Sequence, residues 1–536
     1  MGGPSLDDLQ LADFDITGGR ALVYLDDGRV GFQPRLDLPA HVLDVPMDWD
    51  VDPFSDRNWR FQLSAWRMLD GLWREQRDQG ASDVAARVMH YVRDWHRFHI
   101  LRQRCSEFCW DDMATGLRSQ HLVWLLLQQR TQGILPPQDA ALVDQLAELH
   151  YAKLTSPGFI STNNHGIFQA HALRLLEIVL EKPTGEGSAA EKAMATILDE
   201  QFDEEGVHRE GAPFYHFFAE RRFRKVRPAL YPALGERMEL KLGRAKAVTP
   251  WLVMPNGEFA AVGDSEGRYP PRVRLPKQMV AGTDSHGVPV YANAMLKSGY
   301  VSIRSAPTVD DPLAYMLFFT GMALGGKRHD HADALSFELY ANGGPMLVDG
   351  GKYGYEADAW RAYFVSDLAH NGIGRSGRSY LPEDAVVSGS CLERYLIEDG
   401  VHLMEGGLVR PDGFSIRRRL AFLPGRQLEI FDHTAGLEAG ESAELRFHFH
   451  ERCRVEPSEG AADGLDVFAG GRRIARMQLP SALDGVSIHR GQQGERLGWR
   501  SPSYRKVTPI STVVVRCRAG SAHTRLMLEP PVQIDG

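Results

Sequence analysis

The hydrophobic period of this chain changes once, near residue 296, and that change excludes most of the architectures open to it. From Asn58 apolar residues recur at helical spacing, opening with Trp59, Phe61, Leu63, Trp66, Met68, Leu69 and Leu72. Amphipathic runs follow at 81–103, 112–131, 137–154, 165–182 and 188–202. Short breaks such as Leu135-Pro136-Pro137 and Ser156-Pro157-Gly158 make consecutive helices antiparallel neighbours, in a bundle or a ring of helical hairpins. From Gly299 the pattern alternates instead. Tyr300 to Arg304, Gln427 to Asp432, Ala443 to His450 and Thr512 to Arg518 read as short strands punctuated by Gly and Asp, the pattern of an antiparallel β-sandwich. The expectation is a multidomain α+β chain: an entry arm over 1–55 with a hairpin around Asp26-Asp27-Gly28, a helical domain over 56–296, and a β-sandwich over 297–536.

A length of 536 residues is too great for one core, and 43% hydrophobic residues, 24% charged residues and a formal charge of −9 describe an ordinary globular protein. A mildly acidic balance excludes a general nucleic-acid binder. The five cysteines are scattered, and Cys105 and Cys109 read as small apolar fillers. The start, MGGPSLDDLQ, lacks the basic and apolar segments of a secretory signal, and no apolar run of spanning length follows. As written the chain is expected in the cytoplasm, or in the periplasm or secreted if its start has been trimmed. A homodimer is compatible with the sequence.

Chemistry concentrates between Gly325 and Tyr355. His329, Asp330, His331 and Asp333 precede an alternating run, Leu335, Phe337 and Leu339, that reads as a strand with one buried face. Asn342-Gly343-Gly344 turns the chain, and a second strand ends at Asp349. On a strand, His329 and His331 share a face, with Asp349 next door. With His370 from Ala369-His370-Asn371, the set His331, Asp349 and His370 suits Zn²⁺ or another divalent ion, and Asp333 is the substitute carboxylate. The alternative is a hydrogen-bonded His–Asp pair without metal. Two further stretches stand out. Thr162-Asn163-Asn164-His165 precedes a helical run, so Thr162 or Asn163 can cap it, and Asn164 and His165 beside its N-terminus make a carboxylate receptor or plain caps. Val207 to His216 places Arg209, Tyr215 and His216 together; Tyr215 is a proton donor if its pKa is tuned, and otherwise filler.

Asn164-His165, Pro213 to His216, His329-x-His331, Val348-Asp349-Gly350-Gly351 and Ala369-His370-Asn371 occur in an order that resembles the heparinase II/III-like polysaccharide lyases, from about Trp59 to the end. The resemblance implies an incomplete (α/α) toroid followed by an antiparallel β-sandwich. It implies Asn164 as carboxylate neutraliser, His165, Tyr215 and His329 as the acid–base set, and a structural zinc or other divalent ion on His331, Asp349 and His370. Alginate-specific relatives add a second catalytic Tyr between the metal-site Asp and the last His, where this chain has Tyr353, Tyr355 and Tyr363.

The implied reaction is β-elimination on a uronic-acid polysaccharide. A base removes H5, C4–O4 breaks, and an unsaturated uronate remains. The carboxylate must be neutralised first, and each oxyanion-type donor is worth roughly 3 kcal/mol. Arg328, Arg209, His216 and Tyr355 are expected to bind the acidic substrate, whereas the basic run Arg221 to Lys225 reads as a solvated helix face. Two other functions compete: a toroid-fold glycoside hydrolase using Glu204, Glu205 or Glu210, and a noncatalytic glycan-binding or assembly protein.

Overall fold

A computed structural model describes residues 4–16, 21–267, 280–305, 314–325, 329–385, 389–460, 463–494, 496–518 and 520–530. The chain divides into two compact units, Met1–Gln201 with Ala219–Leu242, and Phe202–Phe218 with Gly243–Gly536.

The first unit is helical. Its helices Arg57–Ser64, Leu69–Gln79, Ala81–His96, Asp112–Gln132, Pro137–Leu154, Asn164–Val179 and Ala189–Gln201 follow the apolar runs of the sequence closely. Asp56, Asp111 and Asn163 cap three of them through their side chains. The run expected over 81–103 ends at His96 and continues as a π turn over Arg97–Leu101. Asp112–Gln132 and Asn164–Val179 are buried almost all round and form the centre of this unit. Among their buried polar groups, Arg118 donates to Ser64 O at 2.7 Å, and Arg174 pairs with Glu177 at 3.0 Å. The hairpin of the arm is present as Leu22–Tyr24 and Val30–Phe32, extended by His41–Val42. The basic run lies largely on the solvated face expected of it, with Arg221, Arg224 and Lys225 exposed. Arg222 binds Asp15 at 2.8 Å and Arg224 binds Glu220, so part of its charge is spent on internal carboxylates.

The second unit carries the sheets. The first, of ten strands, runs in spatial order Leu483–Arg490, Ser511–Arg518, Ser442–Phe449, Gly344–Leu347, Phe337–Ala341, Met316–Thr320, Tyr300–Arg304, Pro289–Met295 and Val280–Thr283, with Ile373–Arg375 paired to Ser442–Phe449. The second runs Leu392–Glu398, Val401–Val409, Ser415–Leu423, Gln427–Ala435, Gly520–Leu528, Arg472–Gln478, Gly464–Ala469 and Cys453–Pro457. Every pairing is antiparallel, and one core joins Val301, Phe319 and Leu339 of the first sheet to Leu420, Phe422 and Ile430 of the second.

The hairpin at the centre of the first sheet corrects one expectation. Phe337–Ala341 is buried on both faces, because Trp251, Leu252 and Val262 cover the side away from the sandwich core and pack with Phe318 and Tyr340. Asn342 and Gly343 turn the chain with φ of +51° and +77°, the left-handed pair that a two-residue hairpin loop requires. Leu335 and the His329–Asp333 segment lie outside the strand.

Candidate active site and metal centre

The organising residue of the second unit is Asp264, which no sequence motif marks. It sits in a tight turn where Gly263 has φ of +55° and where a Cβ would stand 2.5 Å from His329 O, so glycine is required. The Asp264 amide donates to His329 O at 3.1 Å, drawing the 329–333 loop against the turn. One carboxylate oxygen meets His329 Nδ1 and the other His331 Nε2, each at 3.0 Å. Arg361 closes the arrangement with an ion pair to the same carboxylate from the short helix Ala359–Val365. Burial alone would raise this acid, but hydrogen bonds from both histidines and the nearby positive charges hold it well below the usual carboxylate range. His329 and His331 thus face a common partner, held by a shared carboxylate and not by strand alternation.

Tyr215, on the helix Pro213–Lys225, stacks on the His329 ring with centroids 3.4 Å apart and planes 11° apart. Its phenol lies 2.5 Å from the phenol of Tyr355, which is 49% exposed. Lys352, nearly buried, places Nζ 3.2 Å from the Tyr355 hydroxyl and 2.6 Å from Glu266. Burial first, then Tyr355, pushes the Tyr215 phenol far above its ordinary range, so it carries its proton at any working pH. On the other side of the imidazole, His329 Nε2 is 3.5 Å from Glu210. The cluster therefore holds a protonated phenol and an imidazole face to face, with one oriented nitrogen and a second phenol leading to solvent.

The expected metal trio is rearranged. Ligand atoms of His331, Asp333 and His370 lie within 4.8 Å of one another. Asp349 stands behind His370, with Oδ2 at 2.7 Å from Nδ1, as Asp264 stands behind His331. A metal-binding imidazole ordinarily gives its other nitrogen to such a carboxylate, which fixes the tautomer and turns the unbonded nitrogen towards the ion. His331 Nδ1 and His370 Nε2 are the nitrogens left over, both buried with no hydrogen-bond partner. Burial, reinforced by the neighbouring Asp349 and Asp330 carboxylates, raises Asp333. Two orphaned imidazole nitrogens and a buried carboxylate fit a divalent ion. Asn371 fixes the position of His370: its amide donates to Phe337 O at 2.8 Å and Val348 O at 3.0 Å, across the two hairpin strands.

Asn164 and His165 belong to the first unit. Asn163 is the cap, accepting from His165 N at 2.8 Å, which leaves Asn164 buried in the first turn. His165 Nδ1 is 3.0 Å from Asp112, itself at the start of the helix Asp112–Gln132, and its side chain is 40% exposed. Against burial, the His165 hydrogen bond keeps Asp112 below its usual range.

The expected binding residues divide. Tyr355 joins the Tyr215 cluster, Arg209 is exposed, and Arg328 lies outside the described residues. His216 does not meet its expectation. It is 1% exposed, Nε2 lies 2.9 Å from Ala245 O, and Nδ1 accepts from His208 N, so it has neither access nor a nitrogen to offer. Of the carboxylates a hydrolase would need, Glu204 pairs with Lys297 and Glu205 accepts from Ser298. Asp264, Lys352, Arg361 and Asp112 were not singled out in the sequence. Only the Gly263-Asp264 turn leaves a local trace, and the other three are ordinary charged residues in ordinary surroundings.

Comparison with known proteins places this geometry in a setting. Residues 288–528 match the family described as heparinase II/III-like, C-terminal. Among solved structures the chain is similar to a heparinase III, at 17% identity, covering 91% of this chain and 80% of that one with a TM-score of 0.69. It is also similar to a heparan sulfate lyase from Pedobacter heparinus, at 15% identity, covering 94% and 81% with a TM-score of 0.64. These identities establish a shared fold: a helical N-terminal part followed by antiparallel sheets. No curated protein matches the sequence.

Proposed function

We propose, for a chain whose C-terminal part is a heparinase II/III-like domain, that it is a polysaccharide lyase acting by β-elimination on a uronic-acid polymer. The observation that carries this is the stacked Tyr215–His329 pair, with its phenol joined to Tyr355 at 2.5 Å. In the proposed step His329, anchored through Nδ1 on Asp264, takes H5 on Nε2. The C5–H electrons form the C4=C5 double bond, the C4–O4 bond breaks, and Tyr215 gives its proton to the departing O4. Tyr355, half in solvent and beside Lys352, resupplies that proton. The charge of the substrate carboxylate opposes formation of a carbanion next to it and must be offset first; the family resemblance assigns that task to Asn164 and His165.

Acid and base that stack on each other serve one face of the sugar. This supports a substrate in which H5 and O4 lie on the same side of the ring, the gluco or manno configuration, over the C5 epimers.

His331, Asp333 and His370 would hold the ion, taken to be Zn²⁺, with Asp264 and Asp349 orienting the imidazoles. When bound it supplies positive charge that compensates Asp333 and ties the 329–333 loop to His370, a structural task. Asp264 links this centre to His329, so the order of the metal site and the aim of the base are coupled through one carboxylate.

The test is ultraviolet absorbance of the conjugated uronate during incubation with alginate, heparan sulfate, hyaluronan and bacterial capsular polymers. A rise on at least one of them, greater for gluco or manno uronides, is expected. No rise on any acidic polymer refutes the proposal, and new reducing ends without absorbance would replace it with hydrolysis. Among the described residues no helix is long and apolar enough to cross a membrane.

A further inference from the structure

The outer face of the eight-stranded sheet carries a cavity of about 640 Å³, within the roughly 300–1,000 Å³ typical of small-molecule sites. It is built from side chains that alternate away from the sandwich core. Arg419, Phe431 and His523 sit opposite one another on three adjacent strands. They form a continuous stack: the Arg419 guanidinium is 4.3 Å from the Phe431 centroid, and His523 lies on the other side of that ring at 4.3 Å and 8°. The neighbouring rung is Arg417, His433 and Ser521, and the 478–482 segment forms one wall.

Charge on this face is unevenly spent. Glu429 is 2.7 Å from His523 Nε2 and 3.2 Å from Arg525, while Glu393 holds Arg417 at 2.5 Å. Glu405 stands beside Arg419 in register, yet among the described residues no carboxylate pairs with Arg419. The stack holds its guanidinium in place without using its hydrogen-bond donors on an acid. A planar guanidinium held by ring stacking in a sugar-sized groove is suited to bidentate capture of a carboxylate.

We propose that this groove is a second saccharide site, separate from the Tyr215–His329 cluster, which holds a uronate residue of the acidic polymer by its carboxylate on Arg419. This rests on the acidic-polymer substrate proposed above. His433, Ser481 and Ser521 are placed to meet the hydroxyls, and the edge of the stack takes the sugar ring. Such a site would retain a long chain on the protein between cleavage events.

The experiment uses the full chain carrying Tyr215→Phe, so that ligand is not consumed, titrated calorimetrically with hexasaccharides of alginate, heparosan and hyaluronan, and with neutral cellohexaose. Binding of at least one acidic hexasaccharide is expected, weakening with added salt, with cellohexaose inert. Arg419→Ala should remove one binding event per chain or weaken it at least tenfold, as should Ser481→Trp, which fills the groove without touching the stack. Unchanged stoichiometry and affinity in both variants overturns the proposal. So does equal binding of cellohexaose, or a change of molar mass by light scattering in place of a change in binding, which would make the face a contact between copies. The absorbance assay on the parent protein is read separately. Product formation without groove binding rejects this site alone, and groove binding without product rejects the lyase alone.

Discussion

Replacing Asp264 with Asn tests the central geometry, because the side chain keeps its shape and loses only one acceptor and the charge. The carboxylate now accepts from two imidazoles and pairs with Arg361. An amide can accept at one oxygen only, so its NH₂ must face one of the two rings. If it faces His331, Nε2 has to accept and the proton moves to Nδ1, the nitrogen proposed to face the ion. If it faces His329, Nδ1 accepts and the proton sits on Nε2, the atom proposed to act as base. Either outcome disables one function. A lost hydrogen bond to a charged group is worth about 1.5–3 kcal/mol, and breaking a buried ion pair about 3–5 kcal/mol. Because the Arg361 side chain is 18% exposed and recovers some hydration, about 3 kcal/mol is the expected total, a fall in melting temperature of roughly 6 °C for a unit of this size. If the amide faces His329, turnover should fall at least about 100-fold, the usual contribution of a positioned base; if it faces His331, the loss should appear in metal content instead. Calorimetric melting, metal content by mass spectrometry and the absorbance assay read the three effects. A D264N protein that keeps its metal, melts within a degree of the parent and turns over within threefold of it would refute this account of the site.

Three further outcomes are expected. Tyr215→Phe should abolish product formation, by about 100-fold or more, while leaving the melting temperature nearly unchanged, since only a hydroxyl shared with Tyr355 is lost; residual activity above a tenth would move the acid elsewhere. Asp349→Ala should weaken metal affinity about 10- to 100-fold by releasing His370 Nδ1, and chelation should lower the parent's melting point; a variant with full metal occupancy in competition with a chelator would count against the assignment of Asp349 behind His370. Burial holds the His150 imidazole at about 3, against about 6.5 in the unfolded chain. The folded pKa is depressed, so this stability is complete above about pH 6.5 and is lost as pH falls, costing about 2 kcal/mol at pH 5. His150→Asn should flatten the dependence of melting temperature on pH between 7 and 5, and an unaltered slope would exclude that origin.

Much of this molecule follows from local pattern. The helical runs ending at 131, 154 and 202 close within a few residues of the helix ends at Gln132, Leu154 and Gln201, because apolar spacing at the helical period is itself what buries a helix face. Asn342-Gly343 marked its hairpin because few other residues accept the left-handed backbone there. The two-faced burial of Phe337–Ala341 was not legible, since a strand's own alternation does not say what will cover its second side, and here residues 251–262, some 80 positions earlier, cover it. His329, His331 and Tyr215 stood out because imidazoles and phenols are uncommon enough to be noticed in clusters.

The amino-acid order alone decided the helical first part, the antiparallel second part and the loop in which the chemistry would gather, since each depends on periodicity and turn residues acting over a few positions. Only the folded chain decided that Asp264, 65 positions before His329, would hold both histidines, and that Asp333 would stand with His331 and His370 while Asp349 stood behind His370. Aspartates are interchangeable in sequence. Distance and burial assign each a task, and those are set by chain segments that meet only after folding.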